Sequence, residues 1–411
     1  MEKRRVVVTG GGILSALGNN WTTILSNLKA KKNFIHYVKE WDERYPLMNT
    51  RLASLIDFEI DRNKYSRKAL RGMGRVSQMA LVCTDAALED AGLLGSEELS
   101  QGMTGIAYGS SIGSVDPLMD MYAMLVTNDT SKVSSSTYIK AMPQTCAANL
   151  EVYYHLTGRI IISNTACTSG SLSIGYAYET IQSGKQDIMI AGGAEEFSPM
   201  TTATFDTLFS TSTKNSTPEL TPSAYDIHRD GLVIGEGACT LILEEYEHAK
   251  KRGAKIYAEI VGFGTTTDGT HITSPNQPTI ARALQLALND ANLSPEKIGY
   301  INTHGTGTTL GDITETAATY EVFKRAVPVS TVKNYIGHTL GACGAIESWL
   351  TINMMNEGWF LPNLNLKEVD PKCAPLDYIT GNGRNIDTEY VMNNNFAFGG
   401  VNTSLIFKKI N

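Results

Sequence analysis

The 411 residues include no run of about eighteen consecutive apolar side chains, so no transmembrane helix is expected. The opening MEKRRVVVTGGG reaches glycine after three valines, too short for a secretory apolar region. No CxxC pair occurs among the six cysteines (Cys83, Cys146, Cys167, Cys239, Cys343, Cys373), which argues against a disulfide framework and a cysteine zinc site and fits a reducing cytoplasm. No HxxxH spacing occurs either, so no metal is expected. Positive charge is scarce overall: the net charge of −7 makes nucleic acid an unexpected partner. A dinucleotide loop is also missing. VVVTGGGILSALG (6–18) lacks the third glycine of GxGxxG, and is read as a tight strand-to-helix turn.

What is present occurs twice. RRVVVTG (4–10), a helix ending ALEDAGL (87–93) and TGIAYGSSIGS (104–114) are echoed by IYAEIVGFG (256–264), ALNDANL (287–293) and IGYINTHGTGT (298–308). GRIIISNTACTSGS before a helix is echoed by VPVSTVKNYIGHTLGACGA before another. Each half ends in a glycine-punctuated strand pair. Strands alternating with helices imply parallel sheets covered by helices, here a pseudo-duplicated α/β fold with halves 1–250 and 251–411. Ligand sites in such folds gather at the carboxyl ends of strands.

Three strand-end turns carry reactive side chains. Cys167, in NTACTSGS (164–171), follows the β-rich RIIIS and precedes a helix, where free N–H groups and the macrodipole favour a thiolate. A buried inert thiol is the alternative. His304 sits in the glycine-rich NTHGTGTTLGD, which exposes backbone N–H groups to a ligand; a loop-satisfying histidine is the alternative. His338, five residues after Lys333, could donate to a developing oxyanion, with Lys333 keeping the potential positive and Glu347 neutralising it. A purely structural Lys333–Glu347 pair is the alternative there. NNNFAFGGVNTS (393–404) offers a mobile aromatic lid or, alternatively, two core rings beside a hairpin. Arg62, Lys64, Arg67, Lys68, Arg71 and Arg75 fall within RNKYSRKALRGMGR, five of them at helical spacing. That suggests one basic stripe, either merely solvated or a dock for an acidic partner.

In this order TACTSGS, NTHGTGTTLGD, VKNYIGHTLGACGAIES and NFAFGGVNTS resemble the β-ketoacyl-acyl carrier protein synthases of the thiolase superfamily, over essentially the whole chain. MPQTCAANLEVYYHLTGR (142–159), GYAYETI and AGGAEEFSP look more narrowly like the ketosynthases of aryl-polyene and flexirubin-type pigment clusters. The resemblance implies a thiolase-like αβαβα fold with two mixed, mainly parallel sheets. It implies decarboxylative Claisen condensation of malonyl carrier protein with an acyl chain on Cys167. Donors from His304 and His338 would stabilise the enolate, near the active-site Lys333 and its structural partner Glu347. It further implies an oxyanion hole from the N–H groups of Cys167 and Phe398, and a gate at Phe398. Thr306, Thr308, Ile112, Phe396, His271 and Thr273 would be substrate contacts, and Lys64, Arg67, Lys68 and Arg71 a docking site for acyl carrier protein. No cofactor is implied beyond the carrier's phosphopantetheine. The partner is a second copy or a chain-length-factor-like subunit. Two positions depart from the family: Ala397 stands where glycine is common, and Gly307 where serine is. A non-catalytic chain-length subunit is the first rival, disfavoured by Cys167. Thiolases and initiating synthases are disfavoured by the second histidine, His338.

Overall fold

The computed structural model describes residues 3–410; Met1, Glu2 and Asn411, at the outer ends of the two expected halves, lie outside it. Short β-branched runs separated by helices fold here into two copies of one arrangement. The first comprises β1 (Val6–Leu14), α1 (Arg75–Asp90), β2 (Thr104–Gly109), α2 (Thr145–Tyr154), β3 (Ile160–Ser163), α3 (Ser169–Gln182), β4 (Ile188–Glu195) and β5 (Gly237–Glu245). The second comprises β6 (Ala258–Thr267), α4 (Gln277–Asp290), β7 (Ile298–Asn302), α5 (Thr309–Phe323), β8 (Pro328–Ser330), α6 (Cys343–Glu357), β9 (Tyr390–Ala397) and β10 (Val401–Lys408). Strand order is β3-β2-β4-β5-β1 in the first and β8-β7-β9-β10-β6 in the second, the same permutation.

The halves join edge to edge, Val6–Val8 of β1 pairing antiparallel with Ala258–Ile260 of β6, so the two expected sheets are hydrogen-bonded into one. Pairing is parallel among the outer strands of each half and antiparallel in the β4-β5-β1 and β9-β10-β6 portions. Parallel pairing is therefore less dominant than expected: each half closes with a strand antiparallel to its predecessor, through a tight hairpin in the second half and through a long excursion carrying the helix Pro199–Asp206 in the first.

Helices α3 and α6 lie between the two halves, in contact with each other and with strands on either side. Buried on every face, they carry almost no polar stripe: every residue from Cys343 to Met355 is enclosed. Glycine lets them meet. A Cβ on Gly170 would stand 2.8 Å from Ala345 N, and one on Gly344 2.5 Å from Ser171 N. Helices α1 and α4 cover the outer faces, completing the five layers. The glycines of VVVTGGGILSALG are not a turn, contrary to expectation, but part of β1. A Cβ at Gly12 would stand 2.1 Å from the Cys83 carbonyl oxygen, so the glycines are there to let α1 lie against the strand. Gly264 of β6 meets Ala283 of α4 in the same way.

Candidate active site

Chain leaving β3 turns abruptly before α3, and Cys167 sits on that turn. Ala166 takes φ +49°, a conformation rare outside glycine. Hydroxyls hold it there: Thr165 N–H donates to Ser169 Oγ (3.0 Å), which donates to the Ala166 carbonyl (2.7 Å). The small polar residues around the cysteine thus build the turn. The equivalent turn of the second half is strained alike, with Leu340 at φ +45°. Cys167 is buried, and burial pushes its thiol up to about 12; the Lys333 charge and the N–H groups of Phe398 and Cys167 act in the opposite direction. The expected thiolate-favouring influence of the helix start is present but outweighed.

His304 follows β7, and its N–H and that of Gly305 donate to the Glu315 carboxylate of α5 at 2.7 and 2.8 Å. Burial pushes Glu315 up to about 8 against those two donors. Gly305 and Gly307 take φ of +36° and +79°, which folds Thr306 and Thr308 together, their hydroxyls 2.9 Å apart. His338 is clamped by backbone bonds, donating to Val233 O (2.7 Å) and accepting from Gly235 N–H (2.9 Å). Its Nδ1 accepts the Leu340 N–H at 3.2 Å, so the proton sits on Nε2, which is buried with no partner among the described residues. His304 Nδ1 is likewise unpartnered. The rings meet edge to face with centroids 5.1 Å apart. Burial, then the Lys333 charge, holds both well below the usual histidine range, so both are neutral.

Lys333 and Glu347 form a fully buried ion pair, and Asn395 Nδ2 donates to Glu347 at 2.7 Å. One ligand atom from each of Cys167, His304 and His338 falls within 4.8 Å of the others. That trio has the donor types of a zinc site, but the Lys333 ammonium that depresses both histidines also repels a cation.

The three open onto a cavity of about 330 Å³, also lined by Thr273, Thr306, Thr308, Phe396, Ala397 and Phe398. The Phe398 ring packs on Phe205, centroids 4.9 Å apart, and Phe396 meets the edge of His304. Two expected contacts are not among the residues that line this cavity: Ile112 is partly buried, and His271 is exposed, its Nδ1 accepting the N–H groups of Thr273 and Ser274 at 3.1 Å each. His271 shapes the loop that carries Thr273 to the cavity.

The basic segment is not the expected helical stripe. Only Ala69–Gly72 forms a 3₁₀ turn, and Gly74 is the N-cap from which α1 starts at Arg75. Buried Tyr65 pins the preceding loop by donating to Asp85 at 2.6 Å. Lys64 also pairs with Asp85 (2.9 Å) and Arg75 with Glu236 (2.9 Å), leaving Arg62, Arg67, Lys68 and Arg71 exposed with no acidic partner among the described residues.

Sequence reasoning missed Glu315 and also Glu195. Burial pushes Glu195 up to about 7, and it ties Ser111 N–H to Gly341 N–H at 2.9 Å each. The signal for Glu315 was available, since GDITE places Asp312 and Glu315 on one face at the start of α5, aimed back at the histidine turn.

A family model described as Beta-ketoacyl synthase, N-terminal domain, matches residues 3–249, and one described as Beta-ketoacyl synthase, C-terminal domain, matches 257–367. The 3-oxoacyl-[acyl-carrier-protein] synthase 2 of Vibrio harveyi is 38% identical, covering 100% of both chains. The crystal structure of a beta-ketoacyl synthase from Burkholderia phymatum superposes with a TM-score of 0.97 at 53% identity, over 99% of this chain and 100% of that one. The ishigamide ketosynthase/chain length factor superposes with a TM-score of 0.90 at 29% identity over 100% of each chain.

Proposed function

We propose, from the premise that this chain belongs to the β-ketoacyl synthase family, that Cys167, His304 and His338 carry the two half-reactions of a decarboxylative condensation. The enzyme is an acyltransferase that forms a carbon–carbon bond, a β-ketoacyl-acyl carrier protein synthase. Synthases of this kind take their substrates on the phosphopantetheine of acyl carrier protein and need no separate cofactor.

In the first half-reaction Cys167 Sγ attacks the acyl thioester. The tetrahedral oxyanion is held by the N–H groups of Cys167 and Phe398, and the carrier thiol leaves with the proton. In the second, the malonyl thioester loses CO2 and the electrons of the broken C–C bond become an enolate. Its oxygen accepts from His338 Nε2–H, with His304 beside it. Neutral donors suit this task, since a charged imidazolium would protonate the carbanion. The carbanion attacks the acyl-Cys167 carbonyl, the thiolate is expelled, and a β-ketoacyl thioester departs. Lys333, neutralised by Glu347, biases the potential, and Thr306 and Thr308 meet the arm. The closeness of the three reactive side chains around one cavity carries this reading. Intact-protein mass spectrometry tests it: the Cys167→Ala chain takes no acyl group from acyl carrier protein, and an acylated variant overturns the assignment.

The acyl chain is proposed to be an aryl-polyene type, supported by the segments at 142–159 and around GYAYETI. A fatty-acid elongation role is the alternative, and the Vibrio relative's name, 3-oxoacyl-[acyl-carrier-protein] synthase 2, fits either. Turnover of aryl, polyenoyl and saturated acyl carrier proteins side by side decides between them. The chain would act in the cytoplasm, with halves 1–250 and 251–411. Its partner would be a second copy or a chain-length-factor-like subunit. Edge strand β3 supports pairing, since its Ile160 and Ile162 are exposed at the end of the sheet. Among the described residues no helix is long and apolar enough to cross a membrane.

A further inference from the structure

Four large apolar side chains that line the Cys167 cavity also face solvent: Leu208 is 43% exposed, Phe209 84%, Ile272 74% and Leu310 54%. They come from three separate stretches: the turn after the helix Pro199–Asp206, the loop 268–275, and the start of α5. Single exposed apolar residues are ordinary, but a ring of them round one opening marks a contact surface.

Phe209 is the extreme member. Its φ of +52° lies in the left-handed region that glycine and asparagine adopt far more readily than phenylalanine. Nothing about its base is loose. Phe209 N–H donates to Asp206 O at 2.9 Å and Ser210 N–H to Phe205 O at 3.1 Å. The buried Asp206 carboxylate accepts the N–H groups of Asn49 (2.8 Å) and Thr50 (3.0 Å) and the Thr211 hydroxyl (2.9 Å). Ser210 and Ser212 clasp Leu232 from both sides, at 2.8 Å each. A rigid, strained turn thus holds an aromatic ring out in water at the mouth of the site. Neither local preference nor burial explains that choice of residue.

We propose that Phe209 is a specificity-determining residue that, with Leu208, Ile272 and Leu310, docks an apolar face of the carrier protein around the point where its prosthetic arm is attached. The proposal rests on the reading that carrier-borne thioesters reach Cys167 through this cavity. A substrate tethered by an arm brings its carrier down over the mouth, and the ring is the surface the carrier meets there. A second copy of this chain is a poor occupant, because it would seal the nucleophile from its substrate. The contact is apolar, so its strength is insensitive to salt, unlike one made through Arg67 and Lys68.

Phe209→Asn separates docking from folding, since asparagine suits the backbone and the variant keeps or gains thermal stability. Measured with acyl carrier protein, its KM rises about tenfold at both low and high salt while kcat stays within twofold. Phe209→Leu recovers most of the loss. With acyl-pantetheine, which has the arm but no carrier, KM is unchanged. An unchanged KM for the carrier-borne substrate overturns the proposal, and so does an equal rise with acyl-pantetheine, which would place the arm itself on Phe209. So does a fall in melting temperature that accounts for the loss. A failure of the parent reading would appear separately, as acylation of the Cys167→Ala chain.

Discussion

The Leu340 N–H donates to His338 Nδ1 at 3.2 Å, and this one bond decides which ring nitrogen carries the proton. Leu340 can aim that N–H because its own φ is +45°, so strain in the turn before α6 is converted into a defined tautomer on the ring proposed to hold the enolate. Removing the Nε2–H donor should therefore damage decarboxylation more than acyl transfer. His338→Ala is expected to acylate at Cys167 yet release CO2 from malonyl carrier protein about a hundred- to a thousandfold more slowly. His338→Gln, whose side-chain amide can reach a similar position, retains more activity than alanine. Mass spectrometry of the acyl enzyme and a CO2 assay read the two steps apart.

The Cys167 thiol, raised to about 12, leads to a pH test. The raised value means that the thiol form dominates at neutral pH and the thiolate fraction climbs tenfold per pH unit until about 12. Alkylation of Cys167 by iodoacetamide should then rise log-linearly with slope one from about pH 7 to pH 10. Both histidines are held well below their ordinary value, so neither adds an inflection in that interval. A plateau near neutrality would show that the two N–H groups and Lys333 outweigh burial after all.

The duplicated order of strands and the three reactive turns could be read from residues alone, because Cys167, His304 and His338 each follow a short β-branched run and sit among glycines and hydroxyls. What stayed hidden depended on partners distant in the chain. The glycines of β1 look like a turn until α1 is laid across them. Glu195 looks like an ordinary strand-end acid until its carboxylate is found between the Ser111 and Gly341 N–H groups. The helical spacing of Lys64 to Arg75 misled for the same reason. A buried Tyr65 and the acids Asp85 and Glu236, all outside that pattern, decide how the segment runs.

That corrected picture sharpens the carrier-docking test. Lys64 already faces Asp85, so reversing its charge would set two acids together and confuse docking with stability. Arg67 and Lys68 are exposed with no acidic partner among the described residues and carry the cleaner experiment. Arg67→Glu with Lys68→Glu should raise KM for acyl carrier protein several-fold, an effect that fades as salt is added, while a small thioester mimic reacts as before. Equal loss on both substrates, or no dependence on salt, would remove the loop from the docking surface.

The two roles proposed for Phe398, oxyanion donor and gate, can be separated by one substitution. Its backbone N–H acts to lower the Cys167 thiol against burial, whereas its ring leans on Phe205 across the cavity. Phe398→Ala keeps the N–H and removes the ring, so oxyanion stabilisation survives while the wall that keeps water from the enolate is lost. Acyl transfer to Cys167 should proceed at near its normal rate. In the second half-reaction, water entering through the gap protonates the enolate before it reaches the acyl carbonyl, so CO2 release outruns β-ketoacyl formation. The ratio of the two products, one-to-one in the parent enzyme, should rise well above one. If the ratio stays at one while acyl transfer collapses, the ring serves to hold the N–H in place and water exclusion must come from another side chain.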